Sequence, residues 1–186
     1  VEGFRRELEF LIDRKLAAMF GWFKRPSIVA LKASLSLLFD ATVAEIRDTI
    51  PDFNPQEDEN SNGEVELIGN AYHIVYDSLA VVVANAAKHG DRSRPVRRNF
   101  EFTSGKRKQL IVNISSSMRP TDDPSEVSSI IEERKKADFQ DANLYQGKSG
   151  ISKLMLLAYN RSNFTLKQYE VLGDEVHVEL IYDLEP

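Results

Sequence analysis

The chain has 186 residues, 42% of them hydrophobic, a net charge of −5, three His and no Cys. That is enough for the core of one ordinary domain plus an appendage. The lack of Cys excludes disulfide frameworks, cysteine zinc sites and thiol nucleophiles. No apolar run has the length of about 18 residues that a membrane span needs, and Glu2, Arg5, Arg6, Glu7 and Glu9 occupy the place of a secretory apolar core, so a cytoplasmic setting without a membrane span is expected. The acidic balance argues against a dedicated nucleic-acid binder. A chain that opens at Val1 and stops at Glu185-Pro186 reads as a piece of a larger protein, whose other domains would be its partners.

Residues 4 to 23 place Leu8, Leu11, Ile12, Leu16, Met19, Phe20 and Phe23 on one helical stripe. After Pro26, Ser27 reads as the N-cap of a second helix carrying Ile28, Leu31, Leu35, Leu38 and Phe39, and continuing through Val43 and Ile46 to Ile50. Together they predict a helical hairpin over residues 1–51, for packing or for a homodimer through its apolar stripes. Residues 52–64, with two Pro and the run from Gln56 to Asn60, have neither period and read as an acidic loop and domain boundary.

The remaining segment, 65–186, alternates periods. A short strand at Val65 to Ile68 precedes a helix from Gly69 to Gly90, in which Ile74, Val75, Leu79, Val82 and Val83 recur at three- and four-residue spacing. Val96 to Thr103 and Gln109 to Ser115 form a predicted hairpin around Ser104-Gly105. A helix follows at Ser125 to Phe139, with Glu132 to Lys136 as its solvated end, then a loop from Asp141 to Ser149 and a short helix from Gly150 to Tyr159. Phe164 to Leu172 and Glu175 to Leu184 close the chain as a second hairpin around Gly173-Asp174. This order suits an α/β two-layer sandwich, a mixed sheet with helices on one face.

The helix from Gly69 ends in Asn85-Ala86-Ala87-Lys88-His89-Gly90, with Asn85 and Lys88 one turn apart. It resembles the Asn-box helix of the GHKL ATP-binding domains, the group of DNA gyrase, heat-shock chaperones, sensor histidine kinases and mismatch-repair ATPases, and is most similar to that of the histidine kinases. The element order over Val65 to Leu184 is also that of the histidine-kinase-like ATPase domain. The resemblance implies that Asn85 is a Mg²⁺ ligand, that Lys88 supplies charge to the phosphates, and that ATP or ADP with Mg²⁺ is the cofactor. A neutral oxygen suits Mg²⁺, which keeps several waters and takes other ligands from phosphate. Equally open from the residues themselves is a hydrogen-bonded Asn85 and a solvated Lys88 favouring the helix dipole.

The chain departs from the family's pattern at several points. Val81 stands where a hydrolytic Glu or a kinase Asn is expected, and a valine cannot orient or deprotonate water. Asp77, two turns before Asn85, reads as an exposed helix carboxylate. The Asp-x-Gly-x-Gly motif is replaced by Ser115-Ser116-Ser117-Met118-Arg119, so Ser116 or Ser115 takes the place of the carboxylate that reads adenine. A hydroxyl lacks its charge assistance. Asp122 and Asp123 read as turn or N-cap residues before Pro124, too far along for that role. Gly147 and Gly150 match the glycine box that covers the phosphates, while Ser152 replaces a later Gly and Lys148 reads as solvated.

The sequence therefore predicts a degenerate domain, a regulatory nucleotide-binding or structural module with weak or no catalysis. It is not expected to be an autonomous histidine kinase, because residues 1 to 72 contain no phosphoacceptor His and both His73 and His177 read as structural. One alternative keeps Mg-ATP binding and slow hydrolysis. A second assigns the basic stretch 88–108, with Lys88, Arg92, Arg94, Arg97, Arg98, Lys106, Arg107 and Lys108, to nucleic-acid phosphates.

Overall fold

Ser34 stands where a strand turns into a helix. Its backbone is extended, and its hydroxyl accepts from Leu37 N at 3.2 Å, satisfying one of the amides a helix start leaves unpaired. It is an early landmark in the computed structural model, which describes residues 32–53, 55, 63–104, 108–136 and 150–184. Strand β1 (Lys32–Ser34) pairs antiparallel with β2 (Glu66–Ile68), and α1 (Leu35–Arg47) follows β1 directly. The helix predicted from Ser27 to Ile50 is corrected here. It begins at Leu35, because residues 32–34 are held extended by a partner strand more than thirty positions away, while the leucine spacing runs helically across the junction. The helix predicted over residues 4 to 23 lies outside the described residues.

Helix α1 is tied down at both ends. Leu35 N and Ser36 N donate to the carbonyls of Val65 and Gly63, each at 3.0 Å, and Arg47 Nε donates to Phe53 O at 3.0 Å. Phe53, at the edge of the predicted acidic loop, is a buried core residue. The compact unit containing α1 and the sheet accordingly runs from Leu31 to Pro186.

Helix α2 (Asn70–His89) buries Ile74, Val75, Leu79, Val82 and Val83, the stripe its periodicity predicts. It ends against the sheet, where Gly90 forms an isolated bridge with Met118. A Cβ on Gly90 would stand 2.6 Å from Ala86 O and 3.1 Å from Ser117 O, so only glycine permits this approach. The C-terminal turn of α2 is thereby held beside the end of β4.

The main sheet has four antiparallel strands in the order β3-β4-β6-β5, formed by β3 (Arg97–Ser104), β4 (Lys108–Ser117), β5 (Phe164–Leu172) and β6 (Glu175–Asp183). Among the described residues every strand pairing is antiparallel. Leu110, Val112 and Ile114 of β4 and Val178, Leu180 and Tyr182 of β6 alternate inward into one core with α1 and α2. The other face is mostly polar, with Ile111 paired to Ile181 within it, and is cross-linked by Lys167–Glu179, Arg97–Glu175 and Gln109–Asp183. Helices α3 (Pro124–Lys136) and α4 (Gly150–Asn160) complete the helical layer of the α/β two-layer sandwich.

Strand β5 is irregular at one place. Leu166 pairs with Leu180 and Gln168 with Glu179, leaving Lys167 as the extra residue of a bulge. An inserted residue reverses the inward and outward parity beyond it. Tyr169 therefore pairs with Val178 and turns inward, where regular alternation from Phe164 and Leu166 would have turned Gln168.

Candidate functional site

A cleft of about 430 Å³ opens between the C-terminal half of α2, helix α3 and the ends of β4, β5 and β6. Its apolar walls include Val82, Ile114, Val127, Ile131 and Val178. Asn85 and His89, one turn apart on α2, face it together with Arg119 from the loop after β4, Asp122, and Arg134 from α3. Apolar walls with a few convergent polar groups are the usual form of a ligand site.

Asn85 is held on two sides. Its Nδ2 donates to the Tyr169 hydroxyl at 3.2 Å, and the backbone of Gly150 closes over its amide, where a Cβ would lie 2.7 Å from Nδ2 and 2.8 Å from Oδ1. Asn85 and Gly150, sixty-five positions apart in sequence, thus meet in the structure. Ser116 also reaches the cleft, because it shares the inward face of β4 with Ile114. Lys88 does not line it. That side chain is exposed, and its carbonyl accepts from Arg119 Nη2. Gly147 lies outside the described residues.

His89, not Lys88, is the α2 side chain that lines the cleft beside Arg119 and Arg134. Burial holds its pKa below the ordinary 6.5, and the charges of Arg134, Arg119 and Lys88 push the same way, opposed by Asp122. Arg134, Arg119 and Lys88 thus lie near enough to His89 to disfavour its charged form. The spacing of four from Asn85 was the signal for His89. Arg134, predicted within a solvated helix end, is corrected to a cleft residue, and so is Asp122, predicted too far along the chain. Asp123 caps α3 instead, its Oδ1 accepting from Ser125 N at 2.7 Å, and that network lowers its pKa.

Val81 packs half-buried against the core, and Asp77 does not line the cleft. Burial raises the Asp77 carboxyl, opposed by His73 and Arg161. The basic stretch 88–108 is largely occupied internally. Arg92 binds Asp52 and the Ala87 carbonyl, Arg94 binds Asp174 at 2.7 Å, Arg97 binds Glu175, and Arg98 lies 3.5 Å from Asp40. Lys106 and Arg107 lie outside the described residues.

The polar lining combines one neutral side-chain amide with two arginines and a histidine. Among the described residues no group of three or more His, Asp or Glu could hold a metal on its own. A divalent ion here would take one neutral oxygen from Asn85 and the rest from water and phosphate, as Mg²⁺ does. Arg119, Arg134 and His89 could hold an anionic group, and Ser116 and Asp122 offer hydrogen-bond acceptors.

The fold matches that of histidine-kinase catalytic domains, the fold that the resemblance of the α2 helix implied. Solved structures similar to it include the catalytic domain of the histidine kinase ThkA in a nucleotide-free form, at TM-score 0.57 and 13% identity, covering 84% of this chain and 97% of that one. The histidine kinase AdeS of Acinetobacter baumannii aligns at TM-score 0.57 and 11% identity, over 97% of this chain and 80% of that one. The mycobacterial sensor histidine kinase MprB gives 0.52 and 15%, over 85% and 99%. Among curated proteins, the chain is 27% identical over 182 residues to the Detocs histidine-protein kinase DtcA of Vibrio alginolyticus. That match covers 95% of this chain but spans 18% of the relative's length. No family model matches the chain. Among the described residues no helix is long and apolar enough to cross a membrane.

Proposed function

We propose that the chain is a regulatory nucleotide-binding module of a larger protein, which holds ADP or ATP with Mg²⁺ in the cleft beside α2 and has little hydrolytic activity. The observation that carries this reading is the presence of Asn85, His89, Arg119 and Arg134 together in the lining of one largely apolar cleft. When bound, Mg²⁺ would neutralise phosphate charge. Asn85 would offer it Oδ1, Arg119 and Arg134 would hold the phosphates, and Ser116 or Asp122 would accept from the base. The aliphatic walls would exclude water from the ring.

Weak hydrolysis follows from Val81, whose isopropyl group lies against the core where a general base would stand. Phosphotransfer to histidine would need an acceptor from outside residues 1 to 72, which contain no His. The named activity of the relative, a histidine-protein kinase, makes such an acceptor elsewhere in a longer protein a natural partner. The apolar stripe from Leu8 to Phe23 supports homodimerisation through the N-terminal helices.

Calorimetry with ADP and with ATP, with and without Mg²⁺, tests the reading on the wild-type chain and on Asn85→Ala. Saturable binding that Mg²⁺ strengthens, and that Asn85→Ala weakens chiefly in the presence of Mg²⁺, is the expected result. Absence of binding by the wild type under all conditions would overturn it.

A further inference from the structure

An asparagine is ambiguous as a cation ligand, because its amide presents a donor or an acceptor according to which end is turned outward. In this chain that ambiguity is removed from the opposite layer of the fold. Tyr169 is 6% exposed, and Asn85 is the described residue with which its hydroxyl is hydrogen-bonded. The ring reaches Asn85 only because the bulge at Lys167 reverses the parity of β5, and Lys167 is itself fastened to Glu179 at 2.8 Å. On the other flank, the missing Cβ of Gly150 leaves room for the amide and no more.

We propose that Tyr169 is the positioning residue of the site: by accepting from Asn85 Nδ2 it commits that end of the amide to the protein and reserves Oδ1 as the neutral oxygen for the divalent cation. The assignment rests on the nucleotide reading above. The arrangement is the amide counterpart of the outer groups that orient histidine ligands in metal sites, whose loss costs about 10- to 100-fold in metal affinity.

The test is the strengthening of ADP binding by Mg²⁺, taken as the ratio of dissociation constants in chelator and in Mg²⁺, for the intact chain and for Tyr169→Phe. The expected result is a ratio reduced by about 10-fold in Tyr169→Phe, with Mg²⁺-free binding changed by less than about twofold. An unchanged ratio overturns the assignment alone. So does an equal loss with and without Mg²⁺, which would mark Tyr169 as general packing. A wild type that binds ADP under neither condition overturns the nucleotide reading and this assignment with it. Should Tyr169→Phe fold poorly, the side-chain amide of Asn85 in the wild type, followed by NMR without nucleotide, gives an independent result. Slowed proton exchange supports the assignment, and exchange as fast as in a free asparagine overturns it.

Discussion

Gly150 and Asn85 meet so closely that a methyl group would not fit between them: a Cβ on Gly150 would approach both Nδ2 and Oδ1 of Asn85 to less than 3 Å. The first residue of α4 is thus the roof over the amide of α2. Gly150→Ala must turn the amide or lift α4. The atoms the methyl meets end a side chain that can turn, and alanine is the better helix former, so the melting temperature should change little. Mg²⁺-dependent ADP affinity should fall by about 10-fold, the cost of disturbing a ligand's orientation. Calorimetry with parallel thermal melts checks this, and an Ala variant with wild-type affinity would remove Gly150 from the site.

His89 gives the site a pH dependence of defined sign. Its folded pKa is held below the ordinary 6.5 by burial and by Arg134, Arg119 and Lys88. The unfolded chain therefore binds its proton first on acidification. This contribution to stability is complete above about pH 6.5 and is lost as pH falls through that value toward the folded pKa. His89→Asn should flatten that limb of the stability curve, measured by denaturant unfolding across the range. Phosphate has the opposite influence, because an anion beside the cations raises the His89 pKa. Nucleotide should then bind with proton uptake, more tightly at about pH 6 than at about pH 8. Calorimetry in buffers of different ionisation enthalpy reads that uptake directly.

Within the core, Ser78 and Tyr182 are unequal partners. Their oxygens lie 2.5 Å apart, and Ser78 also bonds the Ile74 carbonyl at 2.8 Å and the Val75 carbonyl at 2.9 Å. The phenol has Ser78 as its partner, and burial raises its pKa. Removing Ser78 strands a buried hydroxyl, at a cost of about 1–3 kcal/mol. Removing the phenol leaves Ser78 bonded to its own helix. Ser78→Ala should thus destabilise more than Tyr182→Phe in equilibrium unfolding, and the reverse order would contradict this hydrogen-bond assignment.

Much of the fold is written locally. Helix α2 carries its core face in its own period, and the two hairpins declare themselves by alternation around Ser104-Gly105 and Gly173-Asp174. What escaped was non-local. Strand β1 has three residues and exists because β2 pairs with it, so nothing near Lys32 announces it. The arginines from Arg92 to Arg98 read as a free basic patch until Asp52, Asp174, Glu175 and Asp40 arrive from distant segments.

At the site, Asn85, Ser116 and Gly150 were marked by their likeness to known motifs, and the fold brings all three to one place. Arg134 was hidden by its neighbours Glu132, Glu133, Lys135 and Lys136, which make the end of α3 look uniformly solvated. Tyr169 was out of reach, because its direction depends on a bulge that no residue type requires.

Titration of ADP and Mg²⁺ into the isotope-labelled chain, followed by backbone NMR shifts, tests the placement of nucleotide in this cleft most directly. Saturable shifts concentrated at Asn85, His89, Ser116, Arg119 and Arg134 are predicted. An absence of saturable shifts, or shifts confined to the stretch from Arg92 to Arg98, would contradict it.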